Sequence, residues 1–169
     1  MRRIVVGVVG GAAADEATAA TAYALGGLIA REGWILLNGG RRTGVMDASA
    51  RGARDGGGLS IGILYDDDPE LASSALDIVI PTGMGSARNI INVLASDVVI
   101  ACRGTGGTLS EIALALRVGR PVVLLDFDPG TTFLSLGGPG TWQHAATPEH
   151  AVALTRQILA ASGRLPAAT

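Results

Sequence analysis

The chain has 169 residues with a formal net charge of −2, and 48% of its residues are hydrophobic while 17% are charged. This composition excludes a disordered chain, and the slightly acidic balance gives no reason to expect nucleic acid as a partner. Every basic residue is arginine, which excludes a Walker-type phosphate-binding lysine and a Schiff-base lysine and leaves phosphate binding to arginine and backbone N–H groups.

Short apolar runs rich in valine, isoleucine and leucine alternate along the chain with longer, alanine-rich stretches of helical character. We predict strands at residues 4–9, 34–37, 59–64, 78–80, 98–101 and 122–125, and residues 142–145 fit a short seventh strand. We predict helices at residues 16–31, 45–54, 87–94, 109–118 and 148–161, with Asp15 and Thr147 as N-caps of the first and the last. Two longer connections remain, an acidic one at residues 65–74 and a glycine-rich one at residues 126–140.

The predicted strands are continuous apolar runs in which polar and apolar residues do not alternate. Strands of this kind are covered on both faces, as in a parallel sheet with helices on either side. The sequence therefore predicts an α/β fold, a Rossmann-like, three-layer, doubly wound and mainly parallel sheet of six to seven strands. Because no internal repeat or linker interrupts it, we expect residues 1–169 to form one ligand-binding domain.

The start of the chain and its cysteine content bear on location. The apolar run at residues 4–9 is short and is followed by glycine, so we interpret it as the first strand rather than a secretory signal. No run is long enough to cross a membrane, and the single cysteine, Cys102, has no disulfide partner and is expected to be a buried small hydrophobe. We expect a cytoplasmic protein that engages no membrane and has no metal site of its own.

Glycine-rich turns follow four of the predicted strands. Ligands bind outside the carboxyl ends of the strands in an open parallel sheet, so we expect these turns to meet along one edge. Glycine lets the backbone approach a ligand closely, and the following helix points free N–H groups and its positive dipole end at that ligand, which suits a small phosphate-bearing molecule. The predicted binding residues are Gly10 and Gly11 after strand one; Gly39, Gly40, Arg41 and Thr43 after strand two; Gly85, Ser86 and Arg88 after strand four; and Gly104, Thr105, Gly106, Gly107 and Thr108 after strand five.

Glu111 completes the predicted site, three residues after Thr108 at the start of the fourth predicted helix. In one interpretation, Thr108 and Glu111 form a capping box that supports the helix start. In the other, Glu111 is a carboxylate on the floor of the pocket, placed to act on a glycosidic bond or to hold a pterin-like amidine. The dinucleotide fingerprint G-x-G-x-x-G does not follow the first strand, which argues against an NAD enzyme.

Several segments of the sequence resemble the molybdenum cofactor carrier proteins of algae and bacteria. They are residues 33–41 and 44–46, residues 82–89, and residues 107–116 leading to 121–125. The resemblance runs in order from the first strand to the last helix. It implies that the ligand is the molybdenum cofactor, a pterin with a terminal phosphate and a dithiolene that holds molybdenum. The phosphate would then lie against the glycine turns and the helix start at Thr108.

The same resemblance implies a binding and storage protein rather than an enzyme. Such a carrier shields a labile cofactor from oxidation and passes it to molybdoenzymes, so no catalytic turnover is required. The resemblance also implies a homodimer or a homotetramer.

The carrier proteins belong to a wider group that includes the Lonely Guy phosphoribohydrolases, which cleave the N-glycosidic bond of cytokinin nucleoside monophosphates. Their signature P-G-G-x-G-T-x-x-E, with an upstream arginine-lysine pair, is matched here at Gly104, Gly107, Thr108, Glu111 and Arg88. It is not matched at Arg103, Thr105 and Asn89, which stand in place of the proline, the second glycine and the lysine. The alternative function is therefore a phosphoribohydrolase of nucleoside 5′-monophosphates that uses Arg88 and Glu111. A third interpretation, a nucleotide- or DNA-binding module, is opposed by the acidic net charge.

Overall fold

The computed structural model describes residues 2–138 and 140–165, which contain seven strands and six α-helices, with an α-helix between every two consecutive strands except the third and the fourth. The strands are β1 (Val5–Val9), β2 (Ile35–Asn38), β3 (Ser60–Leu64), β4 (Ile78–Pro81), β5 (Val98–Ala101), β6 (Val122–Leu125) and β7 (Trp142–Ala145). The helices are α1 (Glu16–Arg31), α2 (Gly44–Asp55), α3 (Asn89–Ala95), α4 (Gly106–Arg117), α5 (Thr131–Leu134) and α6 (Pro148–Ala161). The short 3-10 turns Pro69–Leu71 and Gly85–Arg88 precede β4 and α3.

All seven strands pair in parallel in one sheet, in the order β4-β3-β2-β1-β5-β6-β7. This confirms the predicted doubly wound α/β class and places the seventh strand at the sheet edge. The chain builds outward from β1 to β4 and then returns to β5 beside β1, so the direction of winding reverses between β1 and β5. At such a reversal the flanking loops diverge and leave a crevice at the carboxyl ends of the strands.

Local sequence determines where the two longest helices begin. The Asp15 carboxylate accepts a hydrogen bond from Thr18 N at 2.8 Å, and the Thr147 hydroxyl accepts one from His150 N at 3.2 Å. Pro148 occupies the first turn of α6, where its missing N–H leaves no helical bond unmade. Both predicted N-caps are confirmed.

The strand side chains point alternately to the two faces of the sheet and form two apolar clusters. Val6 and Val8 of β1 belong to the cluster covered by α1, α2 and α6. Val9 of the same strand belongs to the cluster covered by α3 and α4. The central strands β5 and β6 are buried throughout, as their unbroken apolar runs predict. By contrast, Ile78 and Ile80 of the edge strand β4 are 43% and 44% exposed.

The helices differ from the prediction in three places. α4 begins at Gly106 rather than at residue 109, because glycines are tolerated in a first turn whose N–H groups need no partner within the helix. The predicted third helix divides into the 3-10 turn Gly85–Arg88 and α3, and the connection at residues 126–140 contains the single turn α5. Among the described residues, no helix combines the length and apolar character that crossing a membrane requires.

Candidate ligand-binding site

A cavity of about 170 Å³ opens at the carboxyl edge of the sheet, where the strand order reverses. Its walls include Val8 and Val9 at the end of β1 and residues from the loops that follow β1, β2, β3, β4 and β5. Open parallel sheets bind ligands at this position, because the loops part there and helices begin there. We refer to this space as the inner cavity.

The inner cavity brings together nine of the fifteen residues predicted for the site. They are Gly10, Gly11, Gly39, Ser86, Arg88, Thr105, Gly107, Thr108 and Glu111. The remaining six belong to the same loops but do not line the cavity, namely Gly40, Arg41, Thr43, Gly85, Gly104 and Gly106. Sequence position locates the loops, whereas the direction of each side chain depends on its contacts in the fold.

Arg41 is held outside the cavity wall by the loop that follows β3. Its Nε and Nη2 each donate to a carboxylate oxygen of Asp66 at 2.9 Å, and the guanidinium lies 5.3 Å from the ring centre of Tyr65. A bidentate pair of this kind fixes the geometry of both partners. Thr43 precedes α2 as an exposed residue and makes no side-chain capping hydrogen bond.

Two charged side chains line the inner cavity among the described residues, Arg88 and Glu111. They are 9% and 7% exposed, and Arg88 Nη1 lies 3.7 Å from Glu111 Oε1. At this distance the groups attract each other without forming a direct hydrogen bond. Burial lowers the pKa of Arg88 and the neighbouring Glu111 carboxylate opposes that shift, so the guanidinium remains charged.

Backbone and amide groups fix the position of the Arg88 guanidinium. Nη1 donates to Asn89 Oδ1 at 2.6 Å, and Nη2 donates to Gly39 O at 3.3 Å. Asn89 is held in turn by Ser110, whose Oγ accepts from Asn89 Nδ2 at 2.8 Å. A Cβ at Gly39 would lie 2.5 Å from Arg88 Nη2 and 2.7 Å from Met46 Sδ, so a larger residue there would push these side chains out of place. Arg88 Nε is buried without a partner in the described part of the chain, which leaves the cation with hydrogen-bonding capacity to spare.

Glu111 lies in the second turn of α4, and its carboxylate is held by the neighbouring helix. Oε1 accepts a hydrogen bond from Asn92 Nδ2 of α3 at 2.8 Å. Burial raises the pKa of Glu111 to about 7, while the hydrogen bond from Asn92 and the charge of Arg88 oppose the shift. The capping-box interpretation is wrong, because α4 begins before Thr108 and Glu111 bonds to Asn92 rather than to a backbone N–H.

The first turn of α4 borders the same cavity. Thr105 is the N-cap residue, and Gly107 and Thr108 of the first turn line the cavity wall. The Thr105 side chain makes no capping hydrogen bond. The free N–H groups and the positive dipole end at the start of α4 therefore border the cavity that Arg88 also lines, an arrangement that attracts anions.

Backbone hydrogen bonds join three of the surrounding loops at Gly11. Gly11 N donates to Arg103 O and Val45 N donates to Gly11 O, each at 3.0 Å. Beside this junction, a Cβ at Gly104 would overlap the Thr108 hydroxyl and lie 2.8 Å from Gly11 N. The contact of Gly104 with these neighbours explains why glycine is needed there without its facing the cavity.

Some residues that line the inner cavity were not assigned to the site from sequence. They are Val8, Val9, Ala12, Met46, Tyr65 and Asn89. Two of them carried a usable signal. Tyr65 is the first residue after β3, at the same edge as the glycine turns, and Asn89 directly follows Arg88.

A second space, the outer crevice, lies at the carboxyl ends of β5 and β6. It measures about 130 Å³ and is lined in part by Asp15, Thr18, Cys102, Arg103 and Asp126. Cys102 is buried as predicted, and burial raises its pKa to about 12, whereas Arg103 is exposed. Across residues 2–138 and 140–165, no three His, Cys, Asp or Glu side chains are grouped so as to hold a metal ion.

The sequence and the fold are both similar to those of known proteins. The family described as the SLOG cluster4 family matches residues 3–157. The molybdenum cofactor binding protein of the phototrophic bacterium Rippkaea orientalis is 48% identical, with a TM-score of 0.89 over 94% of this chain and 99% of that one. The molybdenum cofactor carrier protein of Chlamydomonas reinhardtii is 43% identical, with a TM-score of 0.87 and the same coverage. An uncharacterised protein of Archaeoglobus fulgidus is 46% identical over 125 residues, which make up 74% of this chain and 82% of that protein.

Proposed function

The chain belongs to the SLOG cluster4 family, and within that family we propose that it binds, stores and protects the molybdenum cofactor and delivers it to molybdoenzymes. The observation that carries this proposal is an identity of 43% and 48%, over nearly the whole chain, with proteins that carry or bind this cofactor. The inner cavity supports it independently, since a buried cation and an uncapped helix N-terminus suit a phosphate-bearing ligand.

The terminal phosphate of the cofactor matches the polar side of the inner cavity. Arg88 supplies a fixed guanidinium, and the first turn of α4 supplies N–H groups at Gly107 and Thr108. Val8 and Met46 supply apolar contact surface for the pterin. Polar groups placed beside apolar side chains are typical of small-molecule sites.

Binding of the purified cofactor to the apo-protein, measured without oxygen, tests this function. We expect tight, saturable binding that AMP barely displaces, and a loss of roughly a hundredfold in affinity in Arg88→Ala, because a buried anion would lose its charged partner. Arg103→Ala is the matched control, since it removes an exposed arginine from the outer crevice and should bind like the wild type. Melting temperatures show whether both variants fold. The absence of cofactor binding, or an equal loss in the two folded variants, would contradict the proposal.

The Arg88–Glu111 pair favours one alternative, a phosphoribohydrolase of nucleoside 5′-monophosphates. A buried glutamate whose pKa is raised to about 7 suits proton transfer at a glycosidic bond. Asn89 opposes this alternative, because it replaces the signature lysine and uses its amide to hold Arg88 and Ser110. Incubation with AMP and cytokinin nucleotides separates the two functions. We expect no release of free base above a Glu111→Ala control, and release that depends on Glu111 would favour the hydrolase.

The exposed edge strand β4 supports the proposal of a homodimer, or of a homotetramer built from such dimers. The connection from β3 to β4 contains the short 3-10 turn Pro69–Leu71 in place of a covering helix. Ile78 and Ile80 of β4 are therefore more than two-fifths exposed, although they pair in register with Ile61 and Ile63 of β3. An apolar edge strand of this kind is a liability unless another surface covers it, and a second copy would bury it symmetrically.

Sedimentation of Ile80→Asp tests the oligomer. We expect this variant to become monomeric, because the new carboxylate would be buried without a partner in the interface. Leu136→Asp is the control, since Leu136 is 79% exposed in a different region and its change should leave the oligomer intact. A wild-type protein that sediments as a monomer at micromolar concentration would refute this part of the proposal.

We place the carrier in the cytoplasm as part of the same proposal. Its one cysteine, Cys102, is buried and unpaired, which fits a reducing compartment, and delivery requires access to newly made molybdoenzymes. Fractionation of the source cells checks this, with the protein expected in the cytosolic fraction.

A further inference from the structure

The charges inside the cavity are balanced before any ligand enters. Arg88 is the one cationic side chain among the described lining residues, and Glu111 is the one anionic side chain. Their charged groups approach to 3.7 Å, and both side chains are less than a tenth exposed. With Glu111 ionised, the formal side-chain charge of the cavity wall is zero. With Glu111 protonated, it is +1.

The groups packed around Glu111 leave Arg88 as its main charged neighbour. From α3, Asn92 Nδ2 donates to Glu111 Oε1 at 2.8 Å. The next charged pair, Arg41 with Asp66, lies outside the cavity wall and neutralises itself. The remaining elements present uncharged wall residues, namely Val8 and Val9 of β1, Gly39 after β2, Met46 of α2, Tyr65 after β3 and Thr108 of α4.

An anion that binds to Arg88 must enter beside the Glu111 carboxylate. Two negative charges close together in a poorly solvated site repel each other strongly, and the repulsion favours protonation of the carboxyl group. Burial has already raised the pKa of Glu111 to about 7, so protonation near neutral pH requires only a modest further shift. If Glu111 remained ionised, the cavity would hold an unbalanced negative charge, which is unfavourable.

We propose that binding of a phosphate-bearing ligand in the inner cavity takes up one proton from solvent, which the Glu111 carboxyl group holds while the ligand is bound. The ligand's identity rests on the proposed function, whereas the coupling rests on the charge balance of the cavity. The carboxylate becomes a neutral acid that can donate a hydrogen bond, and Arg88 is released to pair with the anion. Affinity therefore rises as the pH falls.

Sulfate is a suitable probe, because its own charge stays constant across the neutral range and any pH dependence must arise in the protein. We expect sulfate to bind roughly twentyfold more weakly at about pH 8.5 than at about pH 6, as follows for a carboxyl group that titrates near neutrality only when the site is empty. Calorimetry in two buffers of different ionisation enthalpy measures the protons taken up. The wild type should take up close to one proton per sulfate at about pH 8.

Glu111→Gln removes the titration and keeps the size and the neutral form of the side chain. This variant should bind sulfate with one affinity at every pH and take up no proton. Glu149→Gln changes an exposed glutamate on α6 and should behave like the wild type. A wild-type affinity that is independent of pH, proton uptake that persists in Glu111→Gln, or no sulfate binding at about pH 6 would each overturn the proposal.

The cofactor itself distinguishes this proposal from the proposed function. Cofactor binding with no proton uptake would leave the carrier function standing and reject the coupling. Proton-linked sulfate binding in a protein that fails to bind the cofactor would uphold the coupling and reject the carrier function.

Discussion

The inner cavity and the outer crevice share the loop that joins β5 to α4, yet they hold charge in opposite ways. In the cavity, Arg88 and Glu111 are buried, and Arg88 Nε has no hydrogen-bond partner among the described residues. In the crevice, Arg103 and Asp15 are exposed, and the Asp15 carboxylate already caps α1. Exposed charges interact weakly because water screens them, whereas buried charges interact strongly with whatever enters. The same edge of the sheet therefore contains one space built for an anion and one that is largely solvated.

The largest effect that tests this contrast is the pH dependence of stability contributed by Glu111. Its pKa is about 7 in the folded chain against an ordinary value of 4.5, so the folded state holds the proton more tightly than the unfolded state. The stabilisation that the proton provides is present below about pH 4.5 and is lost as the pH rises to about 7. We expect the unfolding free energy of Glu111→Gln to gain about 3 kcal/mol on that of the wild type across this interval, as measured by urea unfolding. Parallel curves for the two proteins would contradict the expectation.

Asp15 of the outer crevice should show the opposite sign. Hydrogen bonds from Thr18, helped by the charge of Arg103, hold the pKa of Asp15 below its ordinary value of 3.8. Its contribution to stability is therefore present above that value and lost as the pH falls below it. The unfolding free energies of Asp15→Asn and the wild type should approach each other in acid, and the difference between them should stay constant near neutral pH. A difference that widens in acid would contradict the assignment of Asp15 as a stabilising cap.

A smaller effect than that of Glu111 is expected from the packing around Gly104, in the loop that the inner cavity and the outer crevice share. In Gly104→Ala the new methyl group would overlap the Thr108 hydroxyl and crowd Gly11 N, so we expect a loss of about 2 kcal/mol in unfolding free energy. Gly107→Ala is the matched control in the same segment, because a Cβ there meets nothing within 4 Å and alanine favours a helix. Equal urea midpoints for the two variants would show that Thr108 and Gly11 can shift to accommodate the methyl group at little cost.

The smallest effect is expected at Cys102, which should not react with a thiol reagent in the folded protein. This thiol borders the outer crevice but is 1% exposed, and burial raises its pKa to about 12, so little reactive thiolate is present. We expect an alkylating reagent near pH 8 to leave the folded protein unmodified for hours and to label Cys102 promptly in urea, as read by mass spectrometry. Rapid labelling of the folded protein would show that the crevice is deeper and more polar than its structure indicates.

The fold was largely predictable because its determinants are local. The unbroken apolar runs of β5 and β6 are characteristic of strands covered on both faces, and both strands are fully buried. Asp15 and Thr147 cap helices through bonds to residues three positions away. The start of α4 was not predictable in the same way, since its first turn contains two glycines, which individually disfavour a helix.

The site was predictable as a set of loops and not as a set of side chains. Arg41 and Arg88 both follow glycine turns at the same sheet edge, and nothing local distinguishes them. Asp66 makes the difference between the two arginines, because it pairs with Arg41 across 25 residues of sequence. The bond between Asn92 and Glu111 likewise spans 19 residues and forms only when α3 packs against α4. Contacts of this range depend on the folded arrangement rather than on local pattern.

The hydrogen bonds at Gly11 affect how a ligand enters and leaves the inner cavity. Because its N–H and its carbonyl tie together the loops after β1 and β5 and the start of α2, these three segments cannot move independently. Their order is established during folding, so an arriving ligand gives up its own freedom without having to organise the backbone around it. In the proposed carrier function, transfer to an acceptor would then be governed by the dissociation rate of the bound ligand and by the relative strength of the acceptor's contacts.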